Sequence, residues 1–247
     1  MNEIIKQLKL RKSVRVFTGR EIKEEEKRLI IQSAIEAPTA GNQSMYTIID
    51  ITDQNVLNQL ADSCDHQPFI ADAKMALIFC ADYQKWYDAF SSINEKVRKP
   101  AAGEFLLAVN DALIAAQNAV VAAESLGIGS CYIGDIMEQC EFHRKLLHLP
   151  KFVFPAAFLV FGYPSEQQLK RRKPERFTYE QMVCENYYHQ KNSKELKEMF
   201  KERGQRQEGN LYQYEQRMEA FCKRKYESDF ALEMSRSIAE YLKDYLD

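Results

Sequence analysis

Three apolar runs along the chain are short, rich in β-branched and aromatic residues, and bounded by Asp, Gly or Pro. They are MYTIIDIT at 45–52, KMALIFCAD at 74–82 and FPAAFLVFGYP at 154–164. Runs of this kind predict strands, and the unbroken apolarity of the second predicts burial on both faces. Between them the hydrophobic period lengthens to that of a helix. Residues 2–9 predict a short helix. KEEEKRLIIQSAIEAP puts glutamates first and apolar residues at Leu29, Ile30, Ala34 and Ile35 before Pro38, predicting a second. DQNVLNQLADSC has Asp53 as cap and Leu57 and Leu60 on one face, a third. Further helices are predicted over 83 to about 98, over about 104 to 126, and in IMEQCEFHRKLLHLP, which ends at Pro150. GIGSCYIGD, 127–135, reads as a glycine-punctuated connection. Strands set between long helical patterns predict an α+β or α/β core, a sheet packed by helices.

The segment EFLLAVNDALIAAQNAVVAAESLG, 104–127, is long enough to span a bilayer, but Asn110, Asp111, Gln117 and Asn118 fall within it. A central Asp alone costs roughly 2.5–3.5 kcal/mol on insertion scales. The segment therefore predicts a buried core helix, apolar all round, whose alanines allow close packing. After about 177 the character changes to charged, weakly amphipathic helix. This divides the chain into a domain over 1–177 and a helical C-terminal extension over 178–247, read either as a solvated appendage or as an arm that wraps a partner subunit.

Charge and cysteine content narrow the class. Lys and Arg number 34 against 36 Asp and Glu, for a net charge of −2, which argues against a dedicated nucleic-acid binder. Six cysteines occur with no CxxC pair and no zinc spacing, so no metal site is predicted. MNEIIKQLKL carries charges inside any apolar stretch, which predicts no signal peptide. Together these predict a protein of the reducing cytoplasm, with no membrane or nucleic-acid partner.

In a nearly neutral chain, local basic clusters stand out. LRKSVRVF holds Arg11, Lys12 and Arg15 around Ser13, and LKRRKPERF, just after the last strand, holds Lys170, Arg171, Arg172, Lys173 and Arg176. Guanidinium forks and a hydroxyl suit phosphate oxygens, although charge runs are more often solvated surface. APTAGNQSMY places Thr39, Gly41, Asn42, Gln43 and Ser44 in one loop between helix and strand, and Gln67 lies in HQPFI. Amides offer both donor and acceptor to a heterocycle edge; the same residues are also ordinary turn formers. The glycines at 127, 129 and 134 have the wrong spacing for a dinucleotide fingerprint. His143 and His148 do not share a helix face, and Trp86 and Tyr87 read as packing.

RKSVRVF resembles the N-terminal signature of the FMN-dependent nitroreductase family. The ordered set that follows, APTAGNQ, then LGIGSCYIG after the long helix, then GYP…LKRR after the last strand, is similar to that family over residues 1 to 177. The resemblance implies an α+β fold with a mixed β-sheet packed by helices, and a homodimer with a flavin at each subunit interface. It further implies an oxidoreductase that passes electrons from NADH or NADPH through bound FMN to a nitro compound, quinone or similar small acceptor by a ping-pong mechanism. Flavin N5 carries that chemistry, so no side chain is implied as catalytic. By the same resemblance Arg11, Ser13 and Arg172 would clamp the FMN phosphate with Lys12 alongside. Arg15 and Lys170 would lie nearer the pyrimidine edge. Thr39, Asn42 and Gln67 would contact the ring or ribityl chain, and Gly129 and Ser130 would present backbone donors near N5. The chain departs from the family in having QSMY where many members have Gln-Pro-Trp, and nothing in the resemblance matches the segment beyond 178. Two other readings stay open: an FMN-binding sensor or storage module with little turnover, and a flavin-free binder of another phosphorylated ligand.

Overall fold

The computed structural model describes residues 1–246, and these divide into two compact units. One comprises residues 1–171 with the segment from Glu233 onward, and the other is Arg172–Leu232.

The first unit is built on four strands, β1 (Tyr46–Asp50), β2 (Met75–Asp82), β3 (Gly129–Ile133) and β4 (Val153–Gly162), in the order β1-β2-β4-β3. All three pairings are antiparallel. The sheet of this single chain is therefore not mixed, as the resemblance had implied. Both β2 and β4 are buried along their whole length, and their side chains sort by parity. Leu77, Phe79, Ala81, Leu159 and Phe161 enter one apolar cluster, while Ala76, Ile78, Cys80, Phe158 and Val160 enter another on the opposite face. Pro155, which has no N–H to give a ladder, sits where the β2–β4 register slips between Phe79 and Cys80.

The helices of this unit are α1 (Glu3–Leu10), α2 (Glu24–Ile35), α3 (Gln54–Ser63), α4 (Pro68–Ala71), α5 (Gln84–Ile93), α6 (Ala102–Ser125), α7 (Cys140–Leu146) and α8 (Glu166–Lys170). Asp53 caps α3 by accepting from the Asn55 N–H at 2.8 Å, as its position predicts. Helix α6 is long and apolar enough to cross a membrane by length and composition alone. One of its faces, with Ala108, Ala112, Ala115, Ala116, Ala119 and Ala123, is buried in the core. Small residues let the helix approach closely, and the Asn118 amide ties it to the Ser33 carbonyl of α2 at 3.1 Å. The other face exposes Leu106, Leu107, Leu113 and Ile114. Burial all round, the expectation for this helix, is thus corrected to burial on one side.

The second unit contains α9 (Tyr179–Met182), α10 (Ser193–Glu208) and α11 (Tyr214–Lys225). Arg203 lies over the Phe177 and Phe200 rings, and Gly204 sits directly beneath Tyr212. The last helix, α12 (Asp229–Leu246), returns to the first unit from Glu233 onward. There Tyr241 is 1% exposed and meets Phe154 edge-on at 5.0 Å, and Tyr245 meets Phe105 at 5.0 Å. Arg144 of α7 holds Asp244 at 2.5 Å, and Arg236 forks onto Glu141 at 2.9 Å. The segment beyond 178 is helical as expected. Its final helix, however, is core rather than appendage, and the break between units falls at 171/172 rather than 177/178.

Candidate active site

The Leu10–Ile22 stretch opens on the C-terminal end of α1, where the Arg11 N–H closes the helix onto the Gln7 carbonyl at 2.8 Å. It then runs as a ribbon against β3 and β4. Val14 N–H donates to the Ser130 carbonyl at 3.0 Å, Thr18 N–H to the Tyr163 carbonyl at 2.8 Å, and Ser165 N–H to the Val16 carbonyl at 3.1 Å. The approach is close enough to require glycines: a Cβ at Gly129 would stand 2.5 Å from Val14, and one at Gly162 would stand 2.6 Å from Phe17.

This ribbon brings three of the predicted residues together. Ser13 and Arg15 reach the thiol of Cys131 in β3, and Arg11 adds its charge there. Burial raises the Cys131 pKa, and Arg15, Ser13 and Arg11 pull it partly back. The ribbon also meets the segment after β4. Arg15 N–H donates to Gln168 Oε1 at 3.1 Å, and Lys12 Nζ donates to the carbonyls of Leu169 (2.7 Å) and Arg171. Lys12 thereby satisfies the last carbonyls of α8, a use of its charge that sequence reasoning missed. A cavity of about 360 Å³ opens here, lined by Arg11, Lys12, Val14, Gly129, Gln168 and Leu169 among others. Lys170 is exposed and pairs with Glu166 at 3.5 Å on its own helix. Arg172 belongs to the second unit, where its guanidinium meets Glu175 at 2.7 Å and the Arg206 carbonyl at 2.8 Å.

Residues 127–135, expected as a connection, contain strand β3. Gly129 and Ser130 are buried in it, and the Ser130 carbonyl is taken by Val14. Glycine-rich sequence looks like loop, but here the glycine answers to Val14 above it.

The loop from Thr39 to Met45 makes a 3-10 turn at Ala40–Asn42, with Gly41, Asn42 and Ser44 all at positive φ. Left-handed backbone costs Asn42 and Ser44 on the order of 1 kcal/mol each, so the loop needs external support. Thr39 supplies part of it by accepting the Ser44 N–H at 3.2 Å. The rest comes from residues the sequence reading left to packing or passed over: Trp86 donates to the Gln43 carbonyl at 2.8 Å, Lys85 to the Tyr46 carbonyl at 2.6 Å, and Asp111 accepts two loop N–H groups. The signal for Asp111 was a carboxylate in the middle of an alanine-rich helix, on its buried face.

Gln67 starts α4, and its amide nitrogen donates to the Cys64 carbonyl at 2.7 Å and to Asp135 Oδ2 at 3.0 Å. Nearby Glu138 is 6% exposed, and burial followed by the charges of Asp135, Asp65 and Glu233 pushes its carboxyl up to about 7. His143 is buried between the Glu138 carbonyl and Ser63 Oγ, with each ring nitrogen within hydrogen-bond reach of one of them. No group of metal-ligating side chains occurs among the described residues.

The model of the nitroreductase family matches residues 8–163, well over half of the chain. The chain belongs to the nitroreductase family. It is 33% identical over 173 residues to an FMN reductase [NAD(P)H] of Bacillus subtilis, covering 69% of this chain and 70% of that one. It is 31% identical over 193 residues to an NADPH-flavin oxidoreductase of Vibrio harveyi, covering 78% and 77%. Among solved structures, nitroreductase A from Vibrio parahaemolyticus superposes with a TM-score of 0.82 at 27% identity, covering 100% of this chain and 98% of that one. The NADPH:FMN oxidoreductase from Vibrio harveyi complexed with NAD+ superposes at 0.76 and 27%, with 99% of each chain covered. Both coverages run through the segment beyond 178, so that segment has counterparts in the family after all.

Proposed function

We propose that this chain is an FMN-dependent oxidoreductase that takes electrons from NADH or NADPH and delivers them to a nitro compound, a quinone or a similar small acceptor. The observation that carries the reading is a nitroreductase-family chain whose N-terminal ribbon, laid against β3 and β4, brings Arg11, Ser13 and Arg15 near Cys131. Two guanidinium groups and a hydroxyl form a donor set that fits a phosphate monoester and an electron-rich ring edge.

What FMN supplies when bound is a ring able to hold two electrons between the departure of one substrate and the arrival of the next. The chain's own residues do the rest. Arg11 and Ser13 are assigned to the phosphate, and Lys12 braces the backbone that presents them; Arg172, whose guanidinium meets Glu175 and the Arg206 carbonyl in the second unit, is left out of that assignment. Arg15 and Lys170 are assigned to the pyrimidine side, where positive charge stabilises the added electrons. Thr39, Asn42 and Gln67 would orient the ring and ribityl chain; Gly129 and Ser130 are withdrawn from its reactive edge, since both are buried in β3 and the Ser130 carbonyl is held by Val14. Because Gln67 gives its amide protons to Cys64 and Asp135, its carbonyl oxygen is the end assigned to the ligand. The named relatives are reductases and oxidoreductases, which disfavours a storage module.

The exposed apolar residues of α1 and α6, Ile4, Ile5, Leu8, Leu106, Leu107, Leu113 and Ile114, support a homodimer with the flavin at the subunit interface. Six free cysteines support a reducing, cytoplasmic setting. Purified protein should be yellow and should bleach on addition of NADH or NADPH, with parallel double-reciprocal lines when both substrates vary. A colourless protein that takes up no FMN, or intersecting lines, would remove the cofactor or the ping-pong order respectively.

A further inference from the structure

The loop from Thr39 to Met45 is restrained from below by a single carboxylate. Asp111 lies on the alanine face of α6 and is 2% exposed. Its two oxygens serve the two ends of the loop: Ala40 N–H donates to Oδ1 at 2.9 Å, and Met45 N–H donates to Oδ2 at 3.1 Å. Between those anchors lie Gly41, Asn42 and Ser44, the residues held at positive φ. A carboxylate accepts without offering a competing donor, so one side chain can fix both ends of a turn that its own backbone disfavours. Ala108, Ala112 and Ala115 leave room for it, and Lys85, itself bonded to the Tyr46 carbonyl, lies close enough for its charge to offset that of Asp111.

We propose that Asp111 is a positioning residue of the flavin site, presetting the loop so that Thr39 and Asn42 meet the ligand without further ordering. This rests on the reading that the loop contacts FMN. Preorganisation of this kind raises affinity because the ordering is completed during folding rather than on binding.

The test is Asp111→Asn in the full-length holoprotein. The amide keeps one acceptor but turns its NH2 toward the second backbone N–H, so one bond is lost to a donor–donor contact. The FMN dissociation constant should rise about ten- to a hundredfold, the loss expected for one charged hydrogen bond. The visible circular dichroism of bound flavin should change as well. A lowered melting temperature with wild-type affinity and dichroism would mean that Asp111 only holds the core, and the proposal falls. A Thr39→Ala/Asn42→Ala double variant separates the two layers. If it weakens FMN while Asp111→Asn does not, positioning alone fails; if neither weakens FMN, the loop's place in the site fails and takes the proposal with it. Should Asp111→Asn not fold, hydrogen exchange in the wild-type holoprotein decides. Slow exchange at the Ala40 and Met45 amides supports the restraint, and exchange at the rate of free chain overturns it.

Discussion

Replacing Gly129 with alanine tests the packing that carries the N-terminal motif. The added Cβ would lie 2.5 Å from Val14 Cγ2 and 2.8 Å from Val14 Cβ. Carbon atoms in contact settle about 3.5–4.0 Å apart, so one side must retreat by about 1 Å. Val14 is buried, and its N–H is bonded to the Ser130 carbonyl at 3.0 Å on the residue next to the substitution. The ribbon therefore cannot lift without stretching that bond. Overpacking costs about 1–3 kcal/mol, and a weakened buried hydrogen bond about 1 kcal/mol more, so Gly129→Ala should destabilise the protein by roughly 2–4 kcal/mol. Urea unfolding reads this as a lowered midpoint at unchanged slope. Because Arg11, Ser13 and Arg15 ride on the same ribbon, FMN affinity should fall in parallel. Adding Val14→Ala should return part of both losses by clearing the contact. A change below about 0.5 kcal/mol with unaltered FMN binding, the size of an ordinary surface substitution, would refute the reasoning.

Arg11→Ala should weaken FMN by about 1.5–3 kcal/mol in an equilibrium titration, and unchanged affinity would remove the phosphate assignment. Glu138, with its carboxyl raised to about 7 from the ordinary 4.5, binds its proton more tightly folded than unfolded. Its contribution is therefore fully present below the unfolded value and is lost as pH rises through about 7. Glu138→Gln should flatten that fall, becoming more stable than wild type at pH 8 by at most about 3 kcal/mol, while urea midpoints at pH 4 should nearly coincide. Tyr241→Ala should cost about 3–5 kcal/mol, the range for emptying a buried aromatic site. A loss near zero in thermal or urea unfolding would return α12 to the status of a solvated appendage.

Local pattern was enough where one element's own residues decide its state. The β2 and β4 runs are apolar at every position because both faces are covered, and that reads directly as buried strand. Asp53, the glutamates opening α2 and Pro38 after it act within a turn of themselves. The sequence showed Arg11, Ser13 and Arg15 as one basic cluster; that they ride on a ribbon laid against β3 and β4, near Cys131, came only from the fold. Tertiary structure alone decided the rest, because it depends on what each residue meets from far along the chain. Gly129 lies in a strand rather than a loop because β3 pairs with β4, Gly129 opposite Gly162, and it must be glycine because Val14, 115 positions away, stands over it. Asp111, an anomaly in an apolar helix, becomes intelligible once Ala40 and Met45 arrive above it. The leucines of α6 that look like core are exposed, since the sheet has only one side of that helix to cover. The charged tail hid a core helix because two tyrosines, Tyr241 and Tyr245, carry its burial while the charges around them face outward or pair. Periodicity reports which residues avoid water, and only the fold determines which partners take water's place.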